Sequence, residues 1–222
     1  MDWSALDLSL RLAFWTCVVL LPLGVLAGRA LAYGRFAGKG FVEAVVALPL
    51  VLPPTVLGYY MLVAFGGAST VGRLYEAVVG HGLVFRFDGL LLASIVFNLP
   101  FAVQPLQRAF EAIPSDVQEA AWCSGMSRWR TFWRIELPLA WPGVVSALAL
   151  TFAHTLGEFG VVLMIGGNIA GETKTAAIAI YDRVQAFDDA AAGTMSAVLL
   201  AVSFLSIGLV YTVARHGSRR RA

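Results

Sequence analysis

The chain has 222 residues, 59% of them apolar and only 14% charged, where an average soluble domain runs at roughly 45–50% apolar and about 25% charged. A single soluble core of this length cannot hide such a surplus, because too much of its surface stays wet; with a mean hydropathy of +0.76, the composition is that of a membrane protein. The net charge of +2 is too small to argue for nucleic acid, and Cys17 and Cys123 give neither a disulfide framework nor a zinc spacing.

A span needs about 20 mainly apolar residues to cross ~30 Å of hydrocarbon. Five stretches qualify, near residues 12–33, 42–65, 90–110, 139–165 and 195–214. In the first, Asp2 and Asp7 precede Arg11 and the apolar run exceeds that of a secretory leader, so it reads as a span. Its Gly24 and Gly28, four residues apart, permit close approach of another helix.

The second stretch carries Pro49, Pro53 and Pro54, which remove three amide donors and predict a broken helix. Broken backbone at membrane depth is tolerated where it is buried in protein or lines a wet cavity. Two readings stand: a kinked structural helix, or a segment beside a solute pathway with Pro53, Pro54 and Thr55 as candidates. Residues 66–88 hold Arg73, Glu76, Arg86 and Asp88 and read as a loop. The third stretch repeats the style with Asn98, Pro100, Gln104 and Pro105, and adds Asn98 and Gln104 to the pathway candidates.

The fourth stretch places His154 and Glu158 four residues apart, on one face of a continuous helix, ahead of Gly160, Gly166 and Gly167. Ionisable groups within a span face the bundle interior or water. They are either a satisfied structural pair or part of the pathway. A bare carboxylate repels an anion, so Glu158 is not read as a ligand; its partner is His154 or a polar group on another span. Residues 166–194 are too polar to span.

Lys and Arg set the orientation. Arg29, Arg35, Lys39, Arg108, Arg128, Arg130, Arg134, Arg215, Arg219, Arg220 and Arg221 fall on one side, against Arg73, Arg86, Lys174 and Arg183 on the other, with Arg11 at the edge of the first span. The N-terminus is therefore expected outside and the C-terminus in the cytoplasm, with the basic tail 215–222 against membrane lipid. The transmembrane domain is expected over 8–214.

The cytoplasmic link 111–138 is the most informative segment. Ser115 and Gln118 fit a capping box, Asp116 and Glu119 suit a first helical turn, and Gly125 sits where a helix ends with positive φ. A second short helix, 128–135, is expected to stop at Pro138, with Trp129, Phe132 and Trp133 on its apolar side among Arg128, Arg130 and Arg134. A DNA-reading helix-turn-helix is the rival, disfavoured because spans begin within a few residues of either end. Partner docking is the better reading.

Within this link Glu119-Ala120-Ala121, Gly125 and, nine residues further on, Ile135-x-Leu137-Pro138 resemble the EAA motif of ABC importer permeases at every named position and spacing. The resemblance implies an all-α, type I importer-like membrane protein of five spans, with the link as the coupling helix for a separate ATPase. Residues 52–59, the run from Leu156-Gly157-Glu158-Phe159-Gly160 through Asn168-Ile169, and Gly171-Glu172-Thr173-Lys174-Thr175 are similar to molybdate permeases. Sulfate permeases share Gly-Glu-Phe-Gly, and some relatives carry proline where this chain has Ala170. What the resemblance implies is a homodimer served by two ATP-binding subunits and an extracytoplasmic oxyanion-binding protein. The resemblance implies molybdate as the substrate, with sulfate and tungstate as alternatives.

No cofactor or metal is expected on this chain, and Mg-ATP is expected on the partner. The approach to a P-loop at Gly38-Lys39-Gly40 has Tyr33 where the first glycine belongs and no terminal hydroxyl. A gradient-driven carrier or channel accounts for broken spans but not for the link. A membrane enzyme finds no nucleophile–base pair in the sequence.

Overall fold

The computed structural model describes residues 2–219, with side chains up to Thr212. Arg220 and Arg221 of the expected basic tail lie outside the described residues, as do the side chains of Arg215 and Arg219.

The described residues form a series of helices joined by short links. Helix α1 (Trp3–Tyr33) is followed by α2 (Lys39–Val51), α3 (Pro54–Phe65), α4 (Thr70–Val79) and α5 (Phe87–Glu111). Then come α6 (Ser115–Cys123), α7 (Arg128–Thr131), a π turn (Phe132–Glu136) and α8 (Leu137–Leu139). The chain closes with α9 (Trp141–Gly157), α10 (Gly160–Gly166), α11 (Ala176–Gln185) and α12 (Asp189–Arg219). Among the described residues, α1, α5 and the part of α12 over Asp189–Thr212 are long and apolar enough to cross a membrane alone. Two bent pairs, α2 with α3 and Arg128–Leu139 with α9, raise the number to five.

Helices α1, α5 and α9 form the centre. A Cβ on Gly28 would lie 2.8 Å from the Gln107 backbone nitrogen, and one on Gly24 3.1 Å from Ala102. The two small residues therefore let α1 meet α5 at backbone distance, as their spacing suggested. Leu106, Phe110, Ile113, Phe132, Ala140 and Val144 pack together where α5, the π turn and α9 meet. Met61, Ala93, Phe97, Val161 and Ile165 tie α3, α5 and α10 into a second cluster.

One break falls where the prolines place it, and two other elements depart from expectation. The second span turns by 111° between α2 and α3, because Leu52 before Pro53 and Pro53 before Pro54 are both driven to extended backbone, with ψ near 137° and 135°. The fourth span is not one helix over 139–165: α9 begins after a 66° bend at Ala140 and stops at Gly157, and α10 restarts at Gly160. Residues 66–88 are not simply a loop. Helix α4 is capped by Ser69, whose Oγ accepts the Gly72 N–H at 2.8 Å, and closed by Gly80 at φ +84°. Its charges forbid a span, but they do not forbid a helix.

Candidate functional site

The link between α5 and α9 is built by local turn chemistry. Pro114, at φ −59° and ψ 140°, holds the cap position of α6, so Ser115 is already helical and its hydroxyl cannot reach back to an amide. It hydrogen-bonds Asp116 Oδ1 at 3.3 Å instead, and the expected capping box with Gln118 is not made. The far end is as expected: Gly125 sits at φ +79°. Its N–H donates to Trp122 O at 2.9 Å and that of Met126 to Ala121 O at 3.1 Å, the paired bonds of a Schellman stop. Ala121 is buried behind the helix, whereas Glu119 and Ala120 face outward with Trp122. A short, capped, glycine-terminated knob is the result.

Helix α7 starts at Ser127, whose Oγ accepts the Arg130 N–H at 3.3 Å. It does not end at Pro138. The chain widens into the π turn, where the Leu137 N–H reaches Phe132 O, and then continues through Pro138 as α8. Proline has no N–H to give, and the wider register lets the helix pass a residue that would otherwise break it. Ile135, Leu137 and Pro138 are half-buried, with Leu137 packed on the cluster around Phe110 and Phe132. Trp129 stacks on Phe132 at 5.9 Å between centroids and meets Trp133 edge-on at 5.5 Å.

Sequence reasoning missed the tie that anchors this segment. Glu136 is only 1% exposed. Its Oε2 takes the Arg29 Nε at 2.5 Å and its Oε1 the Arg29 Nη2 at 3.1 Å. The guanidinium also lies 5.6 Å from the Tyr33 ring and 5.4 Å from that of Phe132. Arg29 read as an orientation charge; the available signal was a carboxylate set between apolar Ile135 and Leu137.

The pathway candidates divide into two groups. Glu158 stands in the break between α9 and α10 with extended backbone, so it does not share a helical face with His154. The two join through Asn98: Asn98 Nδ2 donates to Glu158 Oε2 at 3.3 Å, and Asn98 Oδ1 meets His154 Nδ1 at 2.9 Å. Ser94 Oγ donates to the same Glu158 oxygen at 2.9 Å. The partner of Glu158 is thus on another span, one of the two expected alternatives. His154 lies between Phe97 and Phe101 at 5.1 and 4.2 Å.

Pro54 belongs beside this network, because a Cβ on Gly160 would come within 2.9 Å of its own Cβ; the proline bend and the Glu158 break are packed against each other. Pro53 and Thr55 are exposed at that bend. Gln104 is elsewhere. It lines a cavity of about 560 Å³ with Lys39, Glu43, Gln107, Arg108 and Glu111, in which Gln107 Nε2 donates to Glu43 at 2.7 Å and to Glu111 at 2.9 Å.

At the opposite end of the bundle, Lys174 Nζ contacts Asp182 Oδ2 at 2.6 Å and Asn168 Nδ2 donates to Asp182 Oδ1 at 3.1 Å. The Lys174 bond holds the Asp182 carboxyl below its usual range.

Three long spans, two bent pairs and a knobbed link between spans make a type I ABC importer permease fold. The fold matches a bacterial ABC transporter for the acidic polysaccharide alginate at TM-score 0.79 and 17% identity, over 96% of this chain and 78% of that one. It matches the inward-facing MetNI methionine ABC transporter at TM-score 0.70 and 20% identity, over 97% and 94%. Residues 21–221 match the binding-protein-dependent transport system inner membrane component family, and the chain belongs to it. It is 47% identical to the molybdenum transport system permease protein ModB of Azotobacter vinelandii, over 96% of this chain and 95% of that protein. Identity to ModB of Escherichia coli K12 is 36% over 100% and 96%. A probable sulfate transport system permease protein of Chlorella vulgaris is 32% identical over 93% and 77%.

Proposed function

We propose that this chain is the membrane subunit of an ATP-driven importer of molybdate, working in the cytoplasmic membrane as a homodimer. Its partners are two ATP-binding subunits and an extracytoplasmic oxyanion-binding protein. The observation that carries the reading is the knob at Glu119–Gly125, fixed by the Schellman stop and backed by the π turn. Molybdate is favoured by the 47% identity to the Azotobacter ModB permease along nearly the whole chain.

Mg-ATP is hydrolysed on the partner, and this chain converts that event into movement. Closure of two ATPases drives the knobs of the two copies together. Each knob is continuous with α5 on one side and, through the π turn, with α9 on the other, so the displacement reaches both walls of the Ser94–Asn98–His154–Glu158 network. The network sits where α9 and α10 are already parted. Selectivity rests with the binding protein, because a dianion that must leave again is poorly served by a fixed cationic site in the bundle. The excess of Arg and Lys on the link and tail side supports an N-terminus outside and a C-terminus in the cytoplasm.

Co-reconstitution of this chain with its ATPase and a molybdate-loaded binding protein tests the reading. Vesicles should accumulate molybdate only with ATP and all three components. Uptake without ATP would point to a gradient-driven carrier and overturn it. Sulfate is the second reading, supported by the Chlorella relative; sulfate uptake exceeding that of molybdate in the same vesicles would favour it.

A further inference from the structure

The Tyr33 end of α1 and the start of α7 enclose a cleft of about 150 Å³, lined by Leu26, Arg29, Arg128, Trp129 and Phe132. We propose that this cleft binds an acidic phospholipid, with the phosphodiester between Arg29 and Arg128 and an acyl chain lying along α1.

Two features of the molecule converge on this ligand. The first is charge. Arg29 is neutralised by Glu136, and Arg128 has no carboxylate paired with it among the described residues, its guanidinium resting 5.8 Å from the Trp122 ring. The cleft therefore presents one net positive charge at its rim, the complement of a phosphodiester. Arg29 is held in place by Glu136 and by the Tyr33 and Phe132 rings, so little side-chain freedom is lost when the anion arrives.

The second is continuity with the bilayer. Trp15, Val18, Leu26 and Arg29 recur at helical spacing along one stripe of α1. The three apolar members are exposed, Leu26 at 61%, on a helix long and apolar enough to span the membrane. The stripe runs straight into the cleft, where Trp129 is 69% exposed at the level that amphipathic indoles favour. Among ligands with a phosphate, a lipid alone carries a chain to cover the stripe.

Tryptophan quenching tests this on the full-length chain in phosphatidylcholine vesicles. The vesicles contain a minor fraction of acyl-dibrominated phosphatidylglycerol or, in parallel, acyl-dibrominated phosphatidylcholine. The signal is the quenching lost when Trp129 is replaced by phenylalanine. Phosphatidylglycerol should be preferred at this position by about five-fold, the effect of one guanidinium near the surface. Arg128→Gln should abolish that preference and Arg128→Lys largely keep it, while Arg73→Gln on α4 leaves it unchanged. Equal quenching by both lipids overturns the site, as does a preference that survives Arg128→Gln. Displacement by millimolar inorganic phosphate would assign the cleft to a free anion. Absence of quenching by either lipid would mean that protein, such as a second copy, covers it. Each of these also overturns the proposal, and none bears on whether the chain transports molybdate.

Discussion

Arg29 on α1 and Glu136 in the π turn are joined through two nitrogens and both carboxylate oxygens across 107 residues of sequence. The two ends of the pair are unequally wet: the Glu136 side chain is 1% exposed and that of Arg29 32%. Removing the arginine strands a buried carboxylate, at a cost of about 3–5 kcal/mol, whereas removing the carboxylate leaves an arginine that still reaches water. Arg29→Ala should therefore lower the melting temperature in detergent clearly more than Glu136→Ala. The apolar pair Arg29→Met with Glu136→Leu should recover most of the loss. Equal effects of the two single changes would contradict the asymmetry.

Gly125 has open space around the position of a Cβ, so Gly125→Val meets no clash and carries only the left-handed backbone penalty, roughly 1–2 kcal/mol. The protein should insert and assemble, with the knob re-aimed. Hydrolysis stimulated by the loaded binding protein should fall several-fold in the reconstituted complex. Glu119→Ala, which alters one exposed side chain in the middle of α6 rather than in the first turn expected for it, should have a smaller effect in the same assay. Full stimulation in an assembled Gly125→Val complex would remove the coupling role from this link.

Glu158 accepts from two neutral donors, Ser94 and Asn98, in a fully enclosed setting. Glu158→Gln keeps an acceptor for both and should cost no more than about 1 kcal/mol. Glu158→Leu strands the Ser94 hydroxyl and one N–H of the Asn98 amide, whose other N–H stays on Ser94 O at 2.9 Å, at about 1–3 kcal/mol for each buried group left unmade. Thermal unfolding of the two variants side by side measures the difference. If Leu is as well tolerated as Gln, the hydrogen bonds do not hold the break.

Acid should loosen the far end of the bundle first. The Lys174 bond keeps the Asp182 carboxyl below the ordinary aspartate range. A lowered folded value means stability that is present above the ordinary aspartate range and is lost as pH falls through the lowered value. Hydrogen exchange at α11 should accelerate below pH ~4 in the parent and show a weaker acid dependence in Lys174→Met. The effect is small, since the pair is partly exposed.

Orientation has its own test. Cys123 is exposed on the link and Cys17 is buried in α1. A membrane-impermeant thiol reagent should miss Cys123 in intact cells and label a Gly67→Cys variant, placed where a side chain meets nothing. Labelling of Cys123 from outside would invert the topology.

What the sequence reveals follows the range of the interaction responsible. Helices α1, α5 and α12 are legible because spanning is a matter of length and composition. The bend at Pro53 and the turn at Gly125 are legible because each is written in the residue that makes it. The break at Glu158 carries no proline and is set by Ser94 and Asn98, more than fifty residues upstream. The Arg29–Glu136 pair is a tertiary fact of the same kind. Helix α4 escaped for a different reason: a test for spanning counts charges, and charges on one side of a short helix are compatible with forming it.

The π turn has a mechanical consequence. Its hydrogen bond from Leu137 to Phe132 spans one residue more than that of an α-helix, and one inserted residue is a phase offset worth about 100° of rotation about the axis. Deleting Ile135 would close the register to an ordinary helix and turn everything from Arg128 back to the knob by that angle relative to α9. The wide turn thus works as an indexing tooth: it sets the direction in which a blow delivered to the knob enters the bundle.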